Sequence, residues 1–211
     1  MKLGSLPGNR WVGEMIEYDD DSVEERLFAA AARLFSELGY DATDTAMIAE
    51  ASGVGTREVI ERYGGRRGLY LSVLERAGRQ RVEFMDGVMA EFTYDTDGLV
   101  RMFDRYLDYC MAHREFPGLW MHRWLADASD LPSPDVHFGG AMLGRWIAQV
   151  DRVIADDLDA GMTIRMLVWY IHAFAEGGLV DSDGHRVSPD DVHTLQRLRS
   201  HLHNTIRHLA P

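Results

Sequence analysis

The sequence predicts an all-α protein with two parts: an N-terminal three-helix unit that contains a helix-turn-helix, and a larger C-terminal helical domain. The first observation behind this prediction is that apolar residues recur along the 211-residue chain at spacings of three and four, the period of an α-helix. The second is a pair of short helical segments joined by a glycine-containing turn behind a longer helix. The third is that no segment shows a convincing alternation of apolar and polar residues, so we expect no substantial strand.

The composition limits the class of protein. The chain is 46% apolar, carries a formal net charge of −12 and has one cysteine, Cys110. A single cysteine permits no internal disulfide, which suits a reducing compartment, and no apolar run approaches the roughly 18 residues that a membrane-spanning helix needs. We therefore expect a globular cytoplasmic protein, in which Cys110 is a small buried apolar residue.

The acidic total argues against a nucleic-acid binder, because such proteins usually present a basic surface. Most of the net negative charge lies in the C-terminal two thirds of the chain, however. Residues 22–76 carry seven basic and nine acidic side chains, a net charge of −2, whereas residues 77–211 carry thirteen basic and twenty acidic ones, a net charge of −7. The N-terminal unit is thus nearly neutral, although it is not basic.

The first predicted helix follows a segment without periodicity. Residues 1–21 end in an acidic cluster, and we expect them to form a flexible arm. The helix is predicted to begin at Ser22, because Ser22 and Glu25 have the spacing of a capping box. Its apolar stripe ends before Gly39, since glycine favours the left-handed conformation that terminates helices. We assign residues 22–76 to the N-terminal domain and residues 77–211 to the C-terminal domain.

Two short helices are predicted next, at residues 45–52 and 56–63. Gly53 lies between them, where a positive φ permits a tight turn, and Val54 follows to hold the turn against the core. Three side chains could cap the first of these helices by accepting from its free N–H groups: Thr43, Asp44 and Thr45.

A long fourth helix is predicted to begin near Arg66, after a glycine pair at residues 64–65. Apolar stripes and loop residues then predict the remaining elements. In chain order these are a fifth helix from about Leu99 that ends near FPG at 116–118, a sixth that carries residues 120–125, a loop at 131–135, a seventh helix at 140–158, an eighth capped by Thr163, a loop at 181–191 and a last helix at 192–209.

Several segments of the N-terminal unit are similar to a known family. They are LFAAAARLFSELGYDAT, then IAEASGV, the short helix that ends at Tyr63, and Arg66 opening the fourth helix before Leu69. Together they resemble the DNA-binding domain of TetR-family transcriptional regulators over residues 22–75. The GYDAT hinge and the IAEASGV turn occur at the separation that this family shows, which is more specific than a lone helix-turn-helix. The rest of the chain resembles the family in architecture.

The resemblance implies a homodimer that binds a near-palindromic double-stranded operator, with the third helix of each subunit in a major groove. It also implies a ligand-responsive regulator that acts as a repressor, in which Tyr63 is mainly a core residue. Arg66 would hold a phosphate, and Thr43 and Thr45 would bind phosphate or support the second helix. A guanidinium can indeed take phosphate or guanine O6/N7 through paired hydrogen bonds. The DNA-contacting residues implied in this way are Thr43, Thr45, Thr56, Arg57, Glu58, Glu61, Arg62 and Arg66.

The third helix departs from the family pattern. Gly55 stands where a small polar cap is usual, and Ile60 stands where a tyrosine that reaches the phosphate backbone is usual. Glu58 and Glu61 add two acidic groups to a helix that normally carries few.

Each glutamate of this helix is four residues from an arginine, so the ion pairs Arg57–Glu61 and Glu58–Arg62 can form. A glutamate can also accept a hydrogen bond from cytosine N4. Three interpretations stay open: the glutamates read the groove, they are paired surface charges, or DNA binding has been lost. In the last case the chain would be a dimeric small-molecule-binding helical protein.

The C-terminal domain is rich in aromatic residues, and the resemblance implies an effector pocket among its fifth to eighth helices. Such pockets are mostly apolar, with a few polar groups that orient the ligand. The alternative is that these side chains fill the core and the dimer interface. The candidate pocket residues are Phe103, Tyr106, Trp120, His122, Trp124, Trp169 and His172.

The histidines near the C-terminus do not have the spacing of a metal site. His201 and His203 point to opposite sides of a helix, whereas His193 and His208 are too far from His201 along the axis to share an ion with it. No carboxylate or cysteine completes a site in the sequence pattern, so we expect neither a metal nor a cofactor. We also expect no enzymatic activity, because the chain has no phosphate-binding glycine loop, HExxH or GxSxG motif.

Overall fold

The computed structural model describes residues 20–131 and 141–210. Within these two ranges the chain forms nine helices and one short hairpin, which confirms the all-α prediction. The elements are α1 (Asp20–Leu38), α2 (Thr45–Ser52), α3 (Thr56–Tyr63), α4 (Arg66–Ala90), α5 (Thr96–Ala112), α6 (Glu115–Trp124), α7 (Ala141–Val150), α8 (Ala160–Gly177), β1 (Leu179–Val180), β2 (Arg186–Val187) and α9 (Val192–Leu209).

Helices α1, α2 and α3 pack around the start of α4 and form a unit that we call the head. Its centre is apolar: Leu27, Phe35, Ile48 and Val59 are all fully buried. Helix α4 has 25 residues, or about 37 Å at 1.5 Å per residue, and it continues out of the head into the C-terminal domain. The predicted boundary between the two domains therefore falls inside a continuous helix.

The C-terminal domain is organised around α5, which packs against α4, α8 and α9. Helix α6 packs against α8 on one side and against α1 of the head on the other. Among the described helices, none combines the length and the apolar character needed to cross a lipid bilayer.

The helix-turn-helix is built by local caps. Asp44 is the N-cap of α2, and its carboxylate accepts from the Met47 N–H at 2.9 Å. Gly53 follows α2 with φ 68° and donates its N–H to carbonyls of the last turn. Val54 is buried, so it fixes the turn to the core, as the sequence predicted.

The starts of α1, α6 and α8 differ from the predicted ones. Helix α1 begins at Asp20, two residues before the predicted N-cap Ser22, a difference of the size common at frayed helix ends. The predicted arm therefore loses its last two residues to α1, and residues 1–19 lie outside the described residues. FPG does not end a helix: it forms part of α6, where Pro117 is tolerated because first-turn N–H groups have no intrahelical partner. The cap of α8 is Asp159 and not Thr163, which is buried inside that helix.

Helix α7 ends at Val150, and the prediction of one helix over residues 140–158 was wrong. The segment after it is a series of turns, in which the Ala155 N–H donates to the carbonyl of Leu209 at 2.9 Å. Ile154 is buried in this segment although it lies outside any helix.

The predicted loop at 181–191 contains part of a hairpin. Leu179 pairs with Val187 and Val180 with Arg186, in an antiparallel ladder of two residues a strand. Segments this short carry no alternation that a sequence pattern can reveal. Of the predicted loop at 131–135, Leu131 is described and buried, and the other four residues lie outside the described ranges.

Substitution of Gly53 tests the turn between α2 and α3. A Cβ at this position would meet no atom within 4 Å, so the cost of Gly53→Ala comes only from the φ of 68°. We expect the free energy of unfolding to fall by about 1 kcal/mol, as measured by urea unfolding. The matched control is Gly87→Ala in α4, where a Cβ also meets nothing and the helical φ is ordinary. That change should raise stability by roughly 0.5–1 kcal/mol, and the same sign of effect at both sites would contradict this account of the turn.

Candidate nucleic-acid interface

One face of α3 is open to solvent and the other is anchored in the head. Val59 is fully buried, and Tyr63 packs edge-to-face against Phe28 with ring centroids 5.8 Å apart. A helix held in this way presents its outer side chains in fixed directions. The exposed residues of α3 are Thr56, Arg57, Ile60, Glu61 and Arg62.

Both ion pairs expected from the spacing on α3 are formed. Arg57 Nε lies 2.7 Å from Glu61 Oε1, and Arg62 Nη2 lies 2.9 Å from Glu58 Oε1. The Arg57 side chain is 90% exposed and that of Arg62 is 30% exposed. Exposed pairs of this kind contribute only about 0.2–0.5 kcal/mol each, so the phosphates of a duplex could compete for these arginines.

Arg66, which the resemblance implies holds a phosphate, binds the backbone of the head through one nitrogen of its guanidinium. Its Nη1 donates to the carbonyl oxygens of Tyr40 at 3.1 Å and Thr43 at 3.0 Å, with a longer contact to Asp41 at 3.4 Å. The guanidinium carbon also lies 4.0 Å from the centroid of the Tyr40 ring. The structure therefore gives Arg66 an internal role, in which it ties the start of α4 to the turn between α1 and α2.

The two threonines expected near the phosphates differ in position. Thr43 is fully buried, and its hydroxyl donates to the carbonyl of Gly39 at 2.7 Å, so this hydroxyl supports the turn after α1 and does not face solvent. Thr45 is half-buried, and its hydroxyl oxygen accepts from the Arg66 N–H at 3.1 Å. Arg67, which the sequence reasoning did not single out, is exposed at the start of α4. Arg67 follows the half-buried Arg66 in the chain, and the helical period directs its side chain toward solvent.

Most of the candidate pocket residues come together in the C-terminal domain, where they pack on one another. The Tyr106 hydroxyl lies 2.6 Å from His172 Nε2, and the Trp124 ring stacks on His172 at 5.1 Å and on Trp169 at 5.2 Å. Phe103 and Trp120 are also buried. His122 is not part of this group: its Nε2 lies 3.0 Å from the carbonyl oxygen of Ser36, at the contact between α6 and α1.

The space left between these packed side chains is small. A cavity bordered by Phe103, Tyr106 and Trp146 has a volume of about 10 Å³, roughly that of a single water molecule. A concavity of about 170 Å³ lies where α1, α4, α5 and α6 meet, lined by residues that include Phe28, Arg76 and Phe116. Within the described residues, the side chains of this cluster pack against one another, and Trp169 keeps 44% of its surface exposed.

Buried polar groups occupy the centre of this core in neutral form. Burial, together with the nearby charge of Arg81, lowers the pKa of His172 to about 3. Burial also raises the pKa of the Cys110 thiol to about 12 and that of the Tyr106 hydroxyl well above its usual 10. Arg81 is itself 6% exposed, and its guanidinium carbon lies 5.1 Å from the ring centroids of both Phe116 and Trp120.

The hairpin brings together three side chains that could hold a metal ion. Ligand atoms of Asp181, Asp183 and His185 lie within 4.8 Å of one another, and all three residues are exposed. The sequence pattern missed this grouping because the turn, and not a helical period, creates it. One oxygen of Asp181 accepts from the N–H groups of Asp183 at 2.9 Å and His185 at 2.8 Å, so this carboxylate also stabilises the turn.

Replacing Arg66 and Arg67 separately tests their different roles. Arg66→Ala should lower the free energy of unfolding by about 1–3 kcal/mol, because the part-buried Thr43 carbonyl loses the Arg66 donor and the Tyr40 carbonyl keeps only the Thr43 N–H. Arg67→Ala should change it by less than about 0.5 kcal/mol, since Arg67 is an exposed surface residue. Urea unfolding of both variants measures the difference, and equal effects would contradict the internal role of Arg66.

The buried imidazole predicts how stability depends on pH. The unfolded chain takes up a proton at His172 below its ordinary pKa of 6.5, whereas the folded chain does so only near pH 3. The contribution is therefore complete above about pH 6.5 and is lost as the pH falls toward 3. Between about pH 7.5 and pH 5 this amounts to about 2 kcal/mol, and His172→Phe should remove that part of the pH dependence. Urea unfolding at both pH values checks it, with His201→Gln on the exposed face of α9 as the control, and an unchanged pH dependence in His172→Phe would refute the assignment.

Comparison with known proteins gives one family match. The family described as bacterial regulatory proteins, tetR family, matches residues 27–73, which span the head from α1 into α4. The sequence has no match among curated proteins.

Solved structures of regulators share the fold over most of the chain. The ketosteroid transcriptional regulator KstR2 of Mycobacterium tuberculosis is 15% identical with a TM-score of 0.69, over 92% of this chain and 96% of that one. The regulator PfmR of Thermus thermophilus is 14% identical with a TM-score of 0.63, over 87% and 94%. The fatty acid degradation regulator FadR of Bacillus halodurans is 14% identical with a TM-score of 0.61, over 86% and 93%. Residues 27–73 of the head thus match the tetR family, and most of the chain shares the fold of these solved regulator structures.

Proposed function

We propose that this protein is a cytoplasmic, homodimeric repressor that binds a near-palindromic operator and releases it when an apolar small molecule binds the C-terminal domain. The observation that carries the proposal is the outer face of α3. The inner face of α3 is anchored by the buried Val59, and Arg57 projects from the outer face with 90% of its side chain exposed.

The side chains of α3 offer a donor and acceptor pattern suited to a major groove. The guanidinium groups of Arg57 and Arg62 each have five donors, so they can bind guanine or phosphate while they keep a bond to a glutamate. Glu58 and Glu61 can accept from cytosine N4, and the exposed Ile60 can contact a thymine methyl group.

The phosphate backbone is proposed to lie against the edges of α3 and α4. Thr56 is in the first turn of α3, where free N–H groups and the helix dipole favour an anion. Arg67 and the Thr45 hydroxyl flank the start of α4. We assign Arg66 and Thr43 a supporting role, because their polar atoms bind the backbone of the head.

The dimer is proposed to form through α8 and α9. Helix α8 exposes large apolar side chains on one face, including Met166, Trp169 and Tyr170. Tyr170 and the outer face of α9 border one shallow concavity of about 520 Å³. Exposed apolar groups that lie together in this way are typical of protein–protein contacts.

Release of the operator follows from the geometry of two linked heads. Both third helices must meet successive major grooves, whose centres are about 34 Å apart. An effector that binds more tightly to a differently spaced dimer lowers operator affinity by that difference in binding free energy. An apolar effector is proposed because aromatic side chains dominate the core between α5, α6 and α8.

Selection of duplexes from a random DNA pool tests the proposal. The native protein should enrich a palindromic sequence, and binding should weaken as salt rises. Arg57→Ala/Arg62→Ala should abolish enrichment, or reduce the salt slope of binding by about 2 if binding to the selected duplex survives. The control Arg79→Ala/Arg105→Ala removes two ion-paired arginines from α4 and α5, away from α3, and should bind as the native protein does.

The contradictory results are equally specific. If a native protein that is folded by circular dichroism and dimeric by light scattering enriches no sequence even at low salt, operator binding is excluded. The chain would then be a dimeric small-molecule-binding protein whose helix-turn-helix no longer binds DNA. If the control variant loses as much affinity as the α3 variant, the binding reflects charge and not groove recognition.

A further inference from the structure

The turn between α1 and α2 is bound by a carboxylate from the C-terminal domain. Asp127 Oδ2 accepts from the Tyr40 N–H at 2.7 Å, and Oδ1 accepts from the Asp41 N–H at 3.0 Å. Asp127 follows α6 and is half-buried, and it is 86 and 87 residues from these partners in the chain. Charge-assisted bonds to backbone N–H groups are among the stronger hydrogen bonds in proteins.

The segment that carries Asp127 has an unusual backbone. Ala126 and Ala128 on either side of it have φ values of 69° and 54°, a region that residues other than glycine rarely adopt. The segment is held to α6, because the Asp127 N–H donates to the His122 carbonyl at 3.1 Å and Arg123 Nη1 donates to the Ala128 carbonyl at 2.9 Å. Surroundings that hold such a conformation fix the direction of the side chain between the two alanines.

The same turn of the head is also the one that Arg66 binds. Asp127 takes the N–H groups of Tyr40 and Asp41, whereas Arg66 takes carbonyl oxygens of Tyr40 and Thr43. Arg66 is the first residue of α4, which follows α3 in the chain. The hydrogen bonds of Asp127 and Arg66 therefore connect the end of α6 to α3 through one short segment of backbone at residues 40–43.

The other end of this connection lies in the aromatic core. Trp124, the last residue of α6, stacks between Trp169 and His172 of α8, with ring centroids at 5.2 Å and 5.1 Å. It precedes Asp127 by three residues. A ligand that entered the core and displaced Trp124 would therefore move the segment that holds the carboxylate.

We propose that Asp127 is a positioning residue for operator binding, because it fixes the head to the end of α6. The stack of Trp169, Trp124 and His172 determines the position of the end of α6, and so the position of the Asp127 carboxylate. The inference rests on the proposed function for its link to DNA, whereas the mechanical link stands on the geometry alone. Asp127 contacts no DNA. It acts by limiting the head to one orientation in which α3 can meet its groove.

A distance measurement between spin labels tests the mechanical link without DNA. Cys110 is buried, so labels will attach selectively to the exposed positions of a Glu50→Cys/Asp151→Cys background, one in the head and one after α7. Mixed with an excess of unlabelled chain, so that distances within one subunit dominate, the native background should give one narrow distance distribution, and Asp127→Ala should broaden or shift it. Hydrogen exchange of the Tyr40 and Asp41 amides should accelerate by about tenfold or more in the same variant.

The matched control is Asp130→Ala, which removes an exposed carboxylate from the same segment and should leave distances and exchange unchanged. Asp127→Asn keeps one acceptor oxygen and should give an intermediate result, which also guards against a variant that misfolds. Trp124→Ala should broaden the distribution as Asp127→Ala does, whereas Trp124→Phe, which keeps a stacked ring, should not.

Affinity for the selected duplex tests the functional link. Asp127→Ala should weaken binding by about tenfold or more, with the salt slope unchanged because no phosphate contact is lost. An unchanged distance distribution in Asp127→Ala would overturn the proposal, and so would a broadened distribution with full operator affinity. If the native chain selects no duplex, the proposed function and the link to DNA both fall, and the distance distribution alone decides whether Asp127 fixes the head.

Discussion

The position of the head depends on a close approach of α1 to α6 that only glycine permits at position 118. A Cβ at Gly118 would lie 2.1 Å from Ser36 Oγ and 2.9 Å from the Ser36 carbonyl oxygen, closer than such atoms come in proteins. Because α6 can lie against α1 there, the His122 imidazole reaches the same carbonyl at 3.0 Å. The end of α6 then brings Asp127 to the turn after α1. The contact between the two domains thus follows from the absence of one side chain.

The charges of α3 bear on how an acidic protein could bind the proposed operator. Affinity for any DNA sequence comes mainly from cations that neutralise phosphates. Helix α3 carries two arginines and two glutamates in mutual ion pairs, so its outer face adds little to that general attraction. In the proposed regulator, affinity therefore depends on the match between side chains and base edges, and the net charge of −12 further weakens binding to unrelated sequences.

Helix α4 joins the aromatic core of the C-terminal domain to the head. Arg66 at its start binds carbonyl oxygens of the head, and Arg81 lies fifteen residues later, buried beside Phe116 and Trp120. At 1.5 Å per residue the two are about 22 Å apart on one rigid element. His172, neutral because it is buried, faces both the Tyr106 hydroxyl and the Trp124 ring. A change in this core therefore has two routes to the head, along α4 and through the end of α6.

The sequence by itself determined what depends on near neighbours in the chain. The helical period, the caps and the glycine turns predicted the head almost to the residue, and four-residue spacing predicted the ion pairs of α3, because the backbone fixes such distances before any packing occurs. Tertiary structure alone decided what depends on distant partners. Arg66, predicted to bind phosphate, binds carbonyl groups 23 and 26 residues away in the chain. His122 lies beside a carbonyl of α1 and apart from the other candidate pocket residues. The Asp127 carboxylate accepts from N–H groups 86 and 87 residues away, a pairing that no local period encodes.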